Sequence, residues 1–491
     1  MQVIRQFAPT CAAAFLIVAA VGAGRCDCFA VSPSLLAAGS WVAQSSPNAS
    51  KFMTEDKTTF LRLASPSETV GATLDQAVRM RPEWARVIVR GLIRVTPGGA
   101  RGVAGSAGVR ILWRGGSKFT PPSPVVVGPA DLPADWTQVN QLLDIPAGAI
   151  DLVVEPFAAS GASVDFRDLN VVAWVPTMID EFDGNAPAPV RWTATDSDTF
   201  VFSPGIQHFA PDHATVSGGV LTLHADKTRH GNYEYQSGEV TTLDKFQQLY
   251  GFFEFRMRVP LCMGVWPAAY LIKWDNGWPP EIDVQEMSGT NTQIVIETNH
   301  YADDYGRHQG SSVNFDGSGI DRSQWHTYAV AWEPNALAWY VDGKYMGTTG
   351  PPGPRVSDVP MYIRLNLAVG SYGGDPAKGT WPQDLQCDYV HVYQRWDLPL
   401  PLYEGPSQEI TLPRDTVVLH AISCSPVAGE AVNWSLVEGP GAVRIDSPHS
   451  LDTRATMTRP GMYRFKVSVA KGQSVASREA LVFVNPGLAR P

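Results

Sequence analysis

The chain is poor in cysteine, with 6 in 491 residues, a density far too low for a disulfide scaffold. It contains neither a C-x-x-C pair nor an H-E-x-x-H run, so residue spacing offers no zinc site. Positive charge is scarce: 38 Lys and Arg stand against 48 Asp and Glu, a net charge of −10. No basic stripe appears along the chain, which disfavours a phosphate-backbone partner and hence nucleic acid. Beyond the N-terminus no apolar run approaches the ~18–20 residues that span a bilayer, so no stable membrane insertion is expected. Internal repeats and low-complexity tracts are also missing. With 44% hydrophobic and 18% charged residues, the chain can bury substantial cores, and disorder is excluded as the main theme.

The first residues supply an address. Arg5 precedes the apolar stretch Ala12–Ala20, which ends in the small residues Gly22, Ala23 and Gly24. A basic start, a short apolar run and a small-residue exit describe a secretory signal peptide over residues 1–24, with cleavage near Ala23. Arg25 before Cys26 argues against a lipid-anchored variant. The expected location is extracellular or periplasmic, and the expected state is a monomer. Cys11 leaves with the signal, so Cys26, Cys28, Cys262, Cys387 and Cys424 remain. Cys262 and Cys387 fall in the same segment, where a bridge and buried free thiols are both open readings.

Organisation follows from strand periodicity. Residues 45–175 carry short alternating runs and no helical pattern. In the run from Ala85 to Val95, arginines recur at 86, 90 and 94 and the odd positions are apolar apart from Gly91, the period-2 mark of a strand with one solvated face. Further candidates are 109–113, 150–155 and 164–175, separated by Gly/Pro/Ser stretches, so a β-sandwich is expected here. Pro399 and Pro401 mark a linker over 397–403. Residues 404–488 return to strands, as in Tyr463–Val469, where apolar and polar side chains alternate, and a second small antiparallel sandwich is expected.

The middle segment, 176–396, holds 14 basic and 26 acidic residues, a net −12 that accounts for the acidity of the whole chain. Such a domain repels sulfated or heavily carboxylated polymers and leans toward a neutral substrate, although salt screens the effect beyond about 8–10 Å. Eight of the ten histidines lie in residues 201–400, and nine tryptophans lie in this segment. Strands are expected at 219–224, 250–260, 281–287, 293–300, 327–332, 337–341, 362–369 and 389–394, which suggests a large two-sheet sandwich.

Within it, Glu281-Ile282-Asp283-Val284-Gln285-Glu286 places three carboxyl groups in six residues of an expected strand. On a regular strand Glu281 and Asp283 share a face and Glu286 points away. One extra residue near Val284–Gln285, a β-bulge, would return Glu286 to that face. Like charges held close raise at least one pKa, so that one carboxyl stays protonated while another is ionised. That division of labour suits glycosidic bond cleavage, and Trp266, Trp274 and Trp278 offer flat faces for sugar rings. Clustered carboxylates also suit calcium or a solvated edge strand, and the residues alone leave these readings open.

The run EIDVQE resembles the bulged E-x-D-x-x-E signature of glycoside hydrolase family 16, the laminarinase-like branch shared by bacterial endoglycanases. The likeness extends through about 215 residues in chain order. It includes Asp180-Glu181-Phe182-Asp183-Gly184, the strand Tyr250–Pro260, Gly264-Val265-Trp266-Pro267-Ala268, and His326-Thr327-Tyr328 through Trp339–Gly343. It closes on Leu365–Gly370 and Asp388–Tyr393. The resemblance implies an all-β protein with a concanavalin-like β-jelly roll at 176–396, flanked by the N-terminal sandwich and by an immunoglobulin- or PKD-like sandwich. It implies an endo-acting, retaining glycosidase that uses no cofactor for catalysis and takes a polysaccharide, a β-1,3 or mixed β-1,3/1,4 glucan. Galactan- or exopolysaccharide-cleaving and transglycosylating activities belong to the same family, and a protein that only binds polysaccharide is the alternative of another class. Glu281 is then the nucleophile, Glu286 the general acid and base, and Asp283 tunes both. Members also bind a structural calcium on the face opposite the cleft, at positions matching Glu181, Gly219 and Asp388.

Trp266 and Trp278 are candidates for sugar stacking because they bracket the acids, while Trp332 and Trp339 read as core. His300 ends the strand expected beside the acids and could bond Glu286 or a sugar hydroxyl, and Asn366 could meet a hydroxyl in the cleft. Three positions depart from the laminarinase pattern: Tyr270 and Tyr372 replace tryptophans, and Glu239 stands where a sugar-gripping arginine is common. These changes leave the acids in place and open the question of substrate. Trp278-Pro279-Pro280-Glu281 resembles exopolysaccharide-processing members. The N-terminal sandwich, through Asp135-Trp136-Thr137 and Val164–Val171, resembles galactose-binding-like carbohydrate-binding modules, and a spacer is the competing reading.

Overall fold

The computed structural model describes residues 42–486, apart from 44–49, 56–57, 65–71, 98–106, 129–132, 160, 198–205, 317–318, 352, 397–401, 404–407, 424–430 and 472–473. The signal sequence, Cys26, Cys28, Cys424 and most of the proline-rich linker lie outside the described residues. The described chain is nearly all strand, as the alternating patterns demand.

Two sheets face each other in the middle segment. The concave sheet has seven antiparallel strands in the order Thr193–Ala194, Glu239–Thr241, Met361–Val369, Val265–Lys273, Glu281–Ser288, Asn291–Ala302 and His308–Asp316. The facing sheet includes Val220–Asp226, Gln383–Arg395, Gly251–Arg258, His326–Glu333, Ala336–Val341 and Lys344–Thr349. Between them lie Phe253, Phe255, Trp332, Trp339, Val284 and Leu365, all 0% exposed. Trp332 and Trp339 are therefore core residues, as their alternating neighbours imply. Trp339 also crosses the core: its indole Nε1–H donates to the Asp283 carbonyl at 2.9 Å, pinning the acid-bearing strand from beneath.

The N-terminal sandwich is joined to this jelly roll through a shared sheet. Ser163–Asp180 is one 18-residue strand. Its first part pairs with Arg86–Val95 inside the sandwich, and from Trp174 to Asp180 it pairs with Gln383–Arg395 of the jelly roll. A second seam joins Lys344–Thr349 to Thr137–Asp144. The pairings close a circuit around a small core of Ile88, Leu142, Val172, Trp174, Phe252, Tyr340 and Tyr393. The sandwich keeps its own core, including Trp84, Trp113 and Phe166. The C-terminal module has a separate core around Trp434, Tyr463 and Phe465, enclosed by a four-stranded and a three-stranded sheet.

Cys387 is buried and Cys262 partly so, and both are free thiols; of the two open readings the structure takes the unbridged one. Among the described residues no helix is long and apolar enough to cross a membrane.

Candidate active site

The strand Glu281–Ser288 carries one residue more than its neighbour at the bulge. Ala269 pairs with Gln285 and Tyr270 with Asp283, which leaves Val284 without a cross-strand partner. On the other side Ile282 pairs with Asn299 and Glu286 with Ile296, again one residue out of step. Val284 turns its side chain into the core, at 0% exposure, so burial of an apolar residue fixes where the extra residue goes. Glu281 and Glu286 consequently line one cavity of about 440 Å³, a volume typical of ligand clefts. Gly264 leads into the strand that carries Trp266; it sits at φ +91°, and a Cβ there would stand 2.3 Å from Pro376 Cα, so only glycine fits.

Burial dominates the electrostatics. It raises the Glu281 carboxyl well above its ordinary value, reinforced by the charge of Asp283. Asp283 is likewise pushed well up by burial and then by Glu286, and Glu286 is raised by burial. Asp283 lies between the two glutamates and interacts with both. The cluster therefore keeps protons to higher pH than isolated carboxyls would and titrates as a unit.

Each glutamate receives an indole N–H: Trp266 Nε1 donates to Glu286 Oε1 at 2.8 Å, and Trp278 Nε1 donates to Glu281 Oε2 at 2.6 Å. The two tryptophans expected to stack sugar thus also orient the acids, with their rings lining the cavity. His300 reaches Asp283 rather than Glu286, with Nε2 3.0 Å from Oδ2, and its Nδ1 lies 2.8 Å from His308 Nε2. The reason is register: His300 pairs with Glu281 at the far side of the bulge, away from Glu286. Burial and then His300 lower the His308 pKa. Asn366 is 1% exposed. Its amide donates to the Tyr270 hydroxyl at 3.0 Å and lies 3.4 Å from Glu239 Oε2.

Glu281, Asp283 and His300 are also the one described group of His, Cys, Asp and Glu whose ligand atoms lie within 4.8 Å of one another. At the expected calcium positions the donors are already engaged. Glu181 Oε1 lies 2.7 Å from His391 Nε2, and the Asp388 carboxylate accepts from the Arg256 guanidinium. Gly219 does approach the Glu181 backbone, 3.8 Å from its carbonyl oxygen to an added Cβ. A guanidinium thus neutralises one of the two carboxylates at these positions.

Sequence reasoning missed Arg364, which lines the cavity. The signal was available: Arg364 and Asn366 are two apart on one strand and so share a face. It missed His308 as well, which is contiguous with His300 only through the pairing of Asn291–Ala302 with His308–Asp316.

Residues 206–391 match the model of glycosyl hydrolases family 16, and residues 404–485 match that of a PKD domain. An endo-1,3-1,4-beta-glycanase of Rhizobium meliloti is 37% identical over 190 residues, which cover 36% of this chain and 39% of that protein; the match thus spans about two fifths of that relative's length. A beta-glucanase of Rhodothermus marinus is 30% identical over 256 residues, 45% of this chain and 86% of that protein. The solved catalytic domain of an endo-1,3-beta-glucanase (laminarinase) from Thermotoga petrophila is 27% identical, with a TM-score of 0.42, and 45% of this chain covers 98% of it. The chain belongs to glycosyl hydrolase family 16.

Proposed function

We propose that the chain is an endo-acting glycosidase that cleaves β-linked glucan with retention of configuration. One observation carries the reading: the Val284 bulge brings Glu281 and Glu286 onto one face of one cleft with a buried third carboxyl between them. Glu281 attacks the anomeric carbon and forms the glycosyl-enzyme. Glu286 protonates the leaving oxygen, and afterwards it deprotonates the water that releases the sugar. Burial raises both glutamates and so favours the protonated acid that the first step needs, while an indole N–H and His300 oppose that rise at each of them. Asp283 holds the two in register, and Trp266 and Trp278 wall the site and fix both carboxyl rotamers. An open cleft admits internal bonds of a chain, and the named activities of the relatives, a 1,3-1,4-beta-glycanase and a beta-glucanase, support a glucan. Export through residues 1–24 belongs to the same proposal, because a polymer of this kind lies outside the cell.

The test is product analysis on a panel of β-glucans and galactans, by chain length and by anomeric configuration. Glu281→Gln should reduce cleavage to background while polysaccharide binding persists. Glu286→Gln should lower kcat about 10²–10⁴-fold. Full activity in Glu281→Gln would sink the assignment, and products of inverted configuration would refute the nucleophile.

A further inference from the structure

The sheet registers arrange the cleft floor as a grid. One row runs Glu286, Ala268, Asn366, Glu239; the next runs Asp283, Tyr270, Arg364, Thr241. The floor therefore has a polar side next to the acids, at which Tyr270 on the adjacent strand and Asn366 and Arg364 on the strand beyond meet the cavity. Arg364 comes from the middle of this floor, with its side chain 14% exposed. Its Nε lies 3.8 Å from Glu239 Oε1, too long for a hydrogen bond, and that Nε–H has no hydrogen-bond partner in the protein. Asn366 Oδ1 on the same strand is likewise unpartnered. Glu239 is itself anchored, accepting from Thr195 Oγ1 at 2.9 Å. The guanidinium lies over the Tyr362 ring, 5.7 Å from its centroid. The Tyr270 hydroxyl also bonds the guanidinium. Because no fork-to-fork pair locks it, the part of the fork that reaches the cavity, rather than the buried Nε–H, has donors to give a ligand.

We propose that Arg364, held in place by Glu239, is a specificity-determining residue that reads hydroxyl groups of a neutral glucosyl unit bound beside the Glu281–Glu286 pair. The inference rests on the glycosidase reading above and adds the substrate group it selects. The substrate is neutral because the charge of Arg364 is already matched by Glu239, and a carboxylated sugar would enter a cleft that also holds Glu281, Asp283 and Glu286. The cation of this floor comes from the strand adjacent to Glu239, where Thr241 pairs with Arg364. A site built on unsatisfied donors rejects a ligand that lacks the matching hydroxyl far more strongly than an apolar pocket rejects a size change.

The experiment uses the full chain carrying Glu281→Gln, so that binding is read without turnover, and isothermal titration with neutral β-gluco-oligosaccharides and with a glucuronyl-substituted oligosaccharide. Arg364→Met on that background should weaken binding of the neutral oligosaccharide about 10- to 100-fold. Arg364→Lys, which keeps charge and bulk but loses the planar fork, should fall between the two. Glu239→Gln should gain affinity for the glucuronyl ligand relative to the neutral one. Unchanged neutral binding in Arg364→Met, or in Arg364→Lys if the methionine variant does not fold, overturns the proposal. Tighter binding of the glucuronyl ligand than of the neutral one by the parent also overturns it. A wild-type chain that releases no product from any glucan would instead defeat the glycosidase reading, so the two failures are distinct.

Discussion

The sandwich before the jelly roll shares a sheet with it, whereas the module after it meets it by a stacked ring pair, Trp274 on His420, with centroids 5.1 Å apart. Across the first junction runs the strand Ser163–Asp180, accompanied by polar contacts that are largely out of water. Arg86 NH1 lies 2.6 Å from Glu254 Oε2, with side-chain exposures of 12% and 3%. Glu333 takes both Arg90 and Arg395, at 3.0 and 3.3 Å, and the Tyr340 hydroxyl donates to Asn140 at 3.0 Å. Charges removed from water are tolerated only when paired, so this seam is built to stay closed. The second junction touches the loop between Lys273 and Pro280, which carries Trp278, and ring stacking is individually modest. The N-terminal sandwich shares backbone hydrogen bonds with the jelly roll and so is braced against it, whereas the C-terminal module meets it through side chains.

The largest way to break that contrast is truncation. A chain beginning at residue 176 loses the first part of the bridging strand and both seams, and it should show no cooperative thermal transition in calorimetry. A chain ending at residue 403 should unfold cooperatively and match the full chain in any glucan-cleavage assay. If the first truncation folds and the second does not, the contrast is inverted. Next in size, Arg86→Met leaves the buried Glu254 with no cation and only the Tyr389 hydroxyl, and should cost about 3–5 kcal/mol in denaturant unfolding, with Phe252 and Tyr393 losing the cation over their rings.

pH gives a third handle on the braced body. Glu297 is 0% exposed, and burial raises its carboxyl well above the ordinary value, the same direction as Glu281 and Asp283. A raised folded-state pKa means the folded protein binds protons more tightly than the unfolded chain. The associated stability is therefore complete below the unfolded carboxyl values, near pH 4, and is lost as pH rises through the folded ones. The jelly-roll transition should fall in temperature as pH climbs from about 4, and Glu297→Gln should flatten the fall. A steeper fall in that variant would reverse the assignment. The smallest effect is at the second junction: His420→Ala should cost no more than about 1.5 kcal/mol and leave kcat unchanged, as read by calorimetry alongside a rate assay.

Much of the central site was legible because it is local. Three acids within six residues, with an apolar Val284 between them, imply the bulge, since only an extra residue reconciles period-2 burial with three acids on one face. Two tryptophans just ahead of the acids in sequence flank them in space because they sit on the neighbouring strand and its loop. What was not legible involves partners far apart in the chain. His300 was expected to bond Glu286 or a sugar hydroxyl; it lines the cavity, but its ring reaches Asp283 rather than Glu286, because it pairs with Glu281 across the bulge. The loss of a cation at Glu239 looked like a missing contact until strand pairing brought Arg364 beside it. The calcium positions carry hard oxygens, and only the fold shows that Arg256 and His391, from other places in the sequence, pair with the Asp388 and Glu181 side chains.

By itself the sequence determined the strand periods, the identity and spacing of the acids and the negative balance of the middle segment, because these are properties of neighbours along the chain. The tertiary structure alone decided which strand lies beside which, and hence the fused N-terminal brace, the Trp339 prop under Asp283 and the Arg364–Glu239 pair on the cleft floor. Those depend on register between strands separated by tens to hundreds of residues, where a shift of one residue would turn every side chain to the other face.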